Sequence, residues 1–365
     1  MLMAKTDYIV SKALDRQTLE AEEALTLYRE SSLSVLMMTA GILREQHVPG
    51  RKVGWIIDRN VNITNVCFSH CKFCNFCRKE NDPGAYITGM DEYRVKITEL
   101  FEKGGNQLLL QGGMHPALGL SFYTDLFKSL KKEFPLLKLH ALGPPEVVHL
   151  AKLEKRDYFF ILKELVDAGL DSLPGAGAEI LVDRVRKIVS PAKAGSREWL
   201  DVMKEAHKMN LPTSATMMYG HIETMEERIE HLLRLRDLQE EKPGGHYGFI
   251  TFIPWPFQDE GTVLAMKHKV FNNTGLHDYI RLIAISRIVL NNITNIQSSI
   301  LTTGKKAALM TLHSGANDLG SVMIEENVVS AAGSSTMYDA RQLKAIIKEA
   351  GYIPYQRNQK YEAVE

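Results

Sequence analysis

The sequence predicts an α/β protein whose main body is a closed (β/α)8 barrel, with helices over residues 1–50 before it and a C-terminal extension over 321–365 packed on it. Three observations carry that expectation. Short apolar runs of β type alternate with helical patterns over most of the chain. About eight such units follow one another with no compositional break, which places the barrel at 51–320. The composition is that of an ordinary folded protein, with 365 residues, 45% hydrophobic and 24% charged.

Taken in order, residues 11–45 read as helices, with apolar positions at Leu19, Ala24, Leu25, Leu27 and Tyr28 and then at Leu33, Val35, Leu36 and Met37. Strands are expected at Ile56–Ile63, Gln107–Gln111, Leu137–Leu142, Leu170–Leu173, Thr213–Tyr219, Gly248–Ile253 and Ile296–Leu301, and a weaker one near Ala316–Gly320. Helical periodicity fills Asp91–Lys103, Phe122–Phe134, Tyr158–Ala168, Ser196–Met209, Met225–Leu238 and Leu276–Leu290, with Asp339–Glu349 after the last strand. Parallel neighbours need a crossover connection, so this alternation implies a parallel sheet. An open, doubly wound sheet is the alternative to a TIM-type barrel. Both place ligands at the carboxyl ends of the strands. Those ends carry Gln111-Gly112-Gly113, Pro144-Pro145-Glu146, Gly177-Ala178-Glu179, Tyr219-Gly220-His221 and Pro254-Trp255-Pro256.

Lys plus Arg and Asp plus Glu are both 44, so no global charge argues for nucleic acid or an anionic membrane as partner. No stretch approaches the ~20 apolar residues of a membrane span, and Met1–Val10 is too mixed for a signal peptide. All the cysteines, Cys67, Cys71, Cys74 and Cys77, fall close together on one loop. A disulfide framework would spread them, so a reducing, cytoplasmic location is expected.

Cys67, Cys71 and Cys74 are spaced three and then two residues apart. Three thiolates on one short loop can hold three irons of a 4Fe–4S cube and leave the fourth iron open to another ligand. Zinc is the competing occupant. A structural zinc site usually shows two separated ligand pairs, however, and no second cysteine pair exists here. Cys77 falls outside the triplet and reads as a non-ligating thiol.

This cysteine spacing directly after a first strand resembles that of radical S-adenosylmethionine enzymes. The resemblance implies a 4Fe–4S cluster on Cys67, Cys71 and Cys74, with S-adenosylmethionine bound to the open iron and cleaved to a 5′-deoxyadenosyl radical. It implies that Gln111, Gly112 and Gly113 bind the methionine amine, although Met114-His115 replaces the acid that commonly follows such glycines. Glu146 and Glu179 would meet ribose hydroxyls or the sulfonium, or simply cap helices. Arg184 would meet the methionine carboxylate, or be solvated. His221 and Glu223 are candidates for the general base that a radical ring closure requires. Trp255 would wall a cavity for an aromatic substrate, or pack as a rim aromatic.

Asn62–Cys67, Leu170–Glu179, Thr216–Glu223, Ile253–Phe257 and Gly315–Val328 narrow the resemblance to the branch that holds the futalosine-pathway menaquinone enzymes and the deazaflavin synthase subunits. Within it the chain is most similar to the dehypoxanthine futalosine cyclases. That implies hydrogen abstraction from the ribose of dehypoxanthine futalosine, closure onto its benzoate ring, and an external electron donor such as flavodoxin or ferredoxin. The sister activity, aminofutalosine synthase, shares the cysteine loop and the Gly220-His221-Ile222-Glu223 stretch, so those motifs do not separate the two. A non-catalytic iron–sulfur or zinc protein on the same barrel is a third reading.

Overall fold

The computed structural model describes residues 5–325 and 338–364. Its strands are β1 (Lys52–Asn62), β2 (Gln107–Gln111), β3 (Lys138–Ala141), β4 (Thr213–Tyr219), β5 (Phe249–Pro256), β6 (Asn295–Ile296), β7 (Asp318–Met323) and β8 (Ile353–Gln356). They form two parallel sheets, β3-β2-β1-β7 and β4-β5-β6. Single parallel bridges join them: His140 to Ser172 and Leu173 to Thr213 on one side, Gln297 to Asp318 on the other. The ring therefore closes through eight positions and no open edge is left. The barrel is observed and the doubly wound alternative falls.

β2 and β4 match their expected bounds, because each is an apolar run stopped by a glycine or by a change of period. The expected strand Leu170–Leu173 contributes only the two bridging residues. Asp171 turns its carboxylate outward, accepting from Lys131 Nζ at 2.5 Å and from Leu139 N at 2.8 Å, and Pro174 then ends the run. The expected strand Ile296–Leu301 stops after Ile296, and a helix, Ile300–Leu312, takes over. Ser299 starts that helix: its carbonyl accepts from the Thr303 amide at 3.1 Å and from the Thr303 hydroxyl at 2.8 Å.

The helix Pro144–Glu154 carries proline in its first turn, where a missing N–H costs nothing. The N-terminal helices Lys5–Leu14, Ala21–Glu30 and Leu33–His47 lie on the outside of the barrel. Arginines stitch them on. Arg281 donates to Tyr28 O and Ser31 O at 2.9 Å each, and Arg236 donates to Leu19 O at 2.7 Å.

β8 pairs with the first residues of β1, Lys52 to Ile353 through Trp55 to Gln356. β7 already occupies one edge of β1 there, so β8 takes the edge that β2 uses farther along. The C-terminal segment thereby closes the amino-end foot of the barrel. Arg357 enters the core and holds the fully buried Asp318 of β7 with two bonds of 2.5 and 3.0 Å. Breaking a buried pair of this kind by removing one partner costs about 3–5 kcal/mol. Part of the family-like C-terminal stretch, Glu326, Asn327 and Val328, lies outside the described residues. Among the described residues no helix is long and apolar enough to cross a membrane.

Candidate active site

β1 delivers the chain to the cysteine loop at the carboxyl end of the barrel, and the loop is clamped before the first cysteine. Asn65 donates to Gly84 O at 2.8 Å and accepts from Tyr86 N at 3.0 Å, while its carbonyl accepts from Arg78 N at 2.8 Å. Cys67 N donates to Arg78 O at 3.1 Å. Other elements hold the loop from outside. The end of β2 contributes Gly113 N to Thr64 O at 2.7 Å and Met114 O accepting from Phe68 N at 3.1 Å. Lys72 N donates to Val189 O at 2.9 Å, and Leu264 N, in the helix Val263–His268, donates to Lys72 O at 2.8 Å. Gly113 is required by this packing, since a Cβ there would overlap Val66 O. The Gly112-Gly113 pair thus seats the loop itself, a role that spacing alone did not disclose. Gln111 ends β2 beside Asn62, with its carbonyl accepting from Ile63 N at 3.0 Å.

Cys67 and Cys74 are partly exposed and Cys71 is buried. Ser69 Oγ lies 3.0 Å from Cys71 Sγ. A hydrogen bond from the Cys77 thiol holds the Cys67 thiol down at about 5, and burial pushes Cys71 up to about 11. Cys77 itself is pushed up by that same bond to Cys67. Its sulfur stands 3.2 Å from Cys67 O and 3.3 Å from His70 Nδ1. Among the described residues no group of three or more His, Cys, Asp or Glu side chains is gathered at one point. Three thiols carried by one clamped loop are the donor set of an iron–sulfur cluster with an open corner.

Beside the thiols stands a charged group that sequence reasoning found only in part. Lys193 Nζ bonds Glu179 Oε1 at 2.9 Å and lies 5.3 Å from the centroid of the Phe73 ring, between Cys71 and Cys74 in the chain. Burial opposes the Lys193 charge, but Cys71, Glu179 and Glu146 outweigh it and hold the ammonium well above its ordinary range. Burial likewise works against the Glu179 carboxylate, yet Lys193 keeps it below the usual carboxylate range. Glu179 sits at φ 44°, a left-handed conformation that costs a non-glycine residue of order 1 kcal/mol or more. Arg186 fixes that turn by donating to the carbonyls of Gly177, Ala178 and Ala194. Glu146, in the first turn of Pro144–Glu154, keeps one buried carboxylate oxygen, Oε2, without a partner. Burial pushes its carboxyl up to about 7, with Lys193 pulling the other way. An unpartnered buried acid, a lysine and a second acid next to three thiols form a polar cradle for a charged ligand.

The comparisons bear directly on this loop. Residues 61–235, which carry the last residues of β1, the cysteines and the Glu146–Glu179–Lys193 group, match the description "Radical SAM superfamily", and residues 246–365 match "CofH/MqnC C-terminal region". A "Cyclic dehypoxanthine futalosine synthase" of Streptomyces coelicolor is 40% identical over 97% of this chain and 88% of its own. The chain belongs to the radical S-adenosylmethionine superfamily. An "Aminodeoxyfutalosine synthase" of Thermus thermophilus is 38% identical over 98% of this chain and 95% of its own. A "5-amino-6-(D-ribitylamino)uracil--L-tyrosine 4-hydroxyphenyl transferase" of Methanococcoides burtonii is 37% identical over 95% and 96%. Among solved structures, HydG, a maturase of the [FeFe]-hydrogenase, shares the fold with a TM-score of 0.74 at 16% identity, over 98% of this chain and 76% of its own.

A radical S-adenosylmethionine enzyme carries a 4Fe–4S cluster and S-adenosylmethionine as cofactors, and the three-thiol loop with its adjoining cradle suits that pair. The remaining expected site residues are less close to it. Arg184 gives both ends of its guanidinium to Glu227, at 2.7 and 2.6 Å, and another bond to Ile222 O at 3.0 Å. Its side chain is 50% exposed and its guanidinium is engaged by Glu227.

His221 and Glu223, expected as proton carriers, meet in the turn after β4, with His221 Nδ1 3.1 Å from Glu223 Oε2. Both side chains are 0% exposed. His221 spends its ring nitrogens inside the turn, Nε2 on Met218 O at 3.0 Å and Nδ1 on Ile222 N at 2.8 Å. Burial lowers its basicity. Glu223 accepts from Gly220 N at 2.6 Å, His221 N at 2.9 Å and Arg228 Nε at 2.8 Å. These bonds hold the turn after β4 in one conformation. Trp255 lies in β5 opposite Met218 of β4, partly buried against the core.

Proposed function

We propose that this enzyme is a radical cyclase that converts dehypoxanthine futalosine into cyclic dehypoxanthine futalosine in menaquinone biosynthesis. The observation that carries the reading is the pairing of a clamped three-cysteine loop with the Lys193–Glu179 pair and the unpartnered Glu146 oxygen. The 40% identity to a relative bearing that name supports the particular reaction.

In this reading Cys67, Cys71 and Cys74 hold the cluster. Cluster and S-adenosylmethionine, when bound, would supply the radical chemistry that takes a hydrogen atom from the substrate's ribose. Lys193 holds the carboxylate of the methionine moiety, a role first expected of Arg184. Glu146 and Glu179 bind hydroxyls or balance positive charge. Gln111, Gly112 and Gly113 shape the amine subsite through their backbone. His221 and Glu223 keep the turn after β4 in one conformation, and Trp255 contributes a flat wall for the benzoate ring. The barrel excludes water from the reacting centre. The electron arrives from an external carrier of flavodoxin or ferredoxin type.

The 38% relative named for aminodeoxyfutalosine synthesis makes adenosyl addition the second reading. Mass analysis separates them. Cluster-loaded enzyme, reduced without oxygen and given dehypoxanthine futalosine, is expected to release 5′-deoxyadenosine together with a product two hydrogens lighter than the substrate. Adenosine carbon incorporated into the product, or no reaction with this substrate, would contradict the cyclase assignment.

A further inference from the structure

We propose that the foot of the barrel carries a second, non-catalytic binding site for a small molecule bearing an oxyanion, a phosphate or a carboxylate attached to a flat ring. A cavity of about 500 Å³ opens there, at the amino ends of β5 and β6 and against the C-terminal segment. The cysteine loop is at the opposite, carboxyl end of the barrel, so a molecule bound at the foot is not the reactant.

The charge of the lining sets the ligand's sign. Lys242, His246 and Lys360 face the cavity, and no aspartate or glutamate lines it. Among the described residues, neither Lys242 nor Lys360 has an ion-pair partner. Glu362 and Asp171 act on Lys360 only at a distance, and its nearest partner is the Tyr247 hydroxyl. His246 commits Nδ1 to His207 O at 2.8 Å, which leaves Nε2 as an acceptor for a donor group of the ligand. Two ammonium groups without a carboxylate bonded to them recognise an oxyanion.

The hydrogen-bonding groups and the walls describe the rest of the ligand. Asn292 Oδ1 is a buried atom of a lining residue without a hydrogen-bond partner, a cost that a bound donor removes. Lys360 Nζ is 5.1 Å from the Tyr247 ring centroid, so the cation and the aromatic face lie together. Tyr247 and Tyr361 offer flat surfaces for an unsaturated ring. The Tyr361 ring is also 3.8 Å from Arg357 Cζ, and Arg357 holds Asp318 of β7. A ligand against Tyr361 therefore touches the segment that closes the barrel foot.

Calorimetric titration of the cluster-loaded enzyme with inorganic phosphate, phenyl phosphate and benzoate tests the site. Saturable binding of phenyl phosphate or benzoate is expected, with at least a tenfold loss of affinity in Lys242→Ala/Lys360→Ala and turnover unchanged. Phenyl phosphate binding without benzoate assigns a phosphate ester, and benzoate binding without phenyl phosphate assigns a carboxylate. Lys360→Gln alone, at an exposed side chain, is expected to weaken the same probe and guards against a folding defect in the double variant. The absence of saturable binding by either ring-bearing probe, or binding that survives unchanged in both variants, would overturn the proposal.

Discussion

Cys67→Ala, Cys71→Ala and Cys74→Ala are each expected to give a folded protein that retains no 4Fe–4S cluster and cleaves no S-adenosylmethionine, while Cys77→Ser keeps both. Folding survives because the loop is clamped through backbone and Asn65 bonds, Cys67 N to Arg78 O, Phe68 N to Met114 O and Lys72 N to Val189 O, which do not need the thiols. Cluster loss follows because each thiolate is one of only three protein ligands. Cys77 differs in geometry: its sulfur is turned to Cys67 O and His70, contacts that a serine hydroxyl can reproduce. Iron and sulfide content, together with 5′-deoxyadenosine release, check the series. A Cys77→Ser protein as empty of iron as the other variants would show that the ligand set is wrongly drawn.

Lys193→Ala has the second large expected effect. Among the described residues it removes the cation bonded to Glu179 and leaves Glu179 and Glu146, both buried, with Arg186 as the remaining cation acting on Glu179. Truncating one partner of a buried charge pair costs about 2–5 kcal/mol, so the affinity for S-adenosylmethionine is expected to fall about 30-fold or more. Iron content should stay at the wild-type level, because no cluster ligand is touched. Lys193→Arg should recover part of the affinity. Arg184→Ala should change it less than about twofold, since Arg184 is half-exposed and bonded to Glu227. Equal losses in Lys193→Ala and Arg184→Ala would return the carboxylate to Arg184.

The two variants mark where sequence reading succeeds and where it stops. The cysteine triplet was legible because its chemistry is local: three ligands within one loop, after a strand that an apolar run announces. β2 and β4 were legible for the same reason. Lys193 was not. It sits in Ser190-Pro191-Ala192-Lys193-Ala194-Gly195, a stretch with no periodicity or ligand spacing, and only the fold brings it to Glu179, 14 residues earlier. Arg184, expected near the methionine carboxylate, is bonded to Glu227 on another helix, a partner that its place in the chain does not disclose.

His221 and Glu223 illustrate a related limit. A histidine and an acid at a strand end suggest proton transfer, but burial and hydrogen-bond saturation are properties of the packed turn. Glu146 kept two readings in the sequence, a helix cap or a contact to the cofactor. It occupies the first turn of a helix and still leaves a buried oxygen unpartnered. The fourth barrel position was overread from the apolar run Leu170–Leu173, where the pull of Lys131 and Lys138 on Asp171 leaves two bridges in place of a strand. β8 escaped notice because Ile353–Gln356 contains a proline and pairs across nearly the whole length of the chain.

The most direct test of the central claim is the paramagnetic resonance spectrum of the reduced, reconstituted protein, recorded before and after S-adenosylmethionine is added. A 4Fe–4S signal that changes saturably with S-adenosylmethionine, and that is missing from Cys71→Ala, is the expected result. A spectrum indifferent to S-adenosylmethionine, or a wild-type protein that binds zinc in place of iron at the three cysteines, would contradict it.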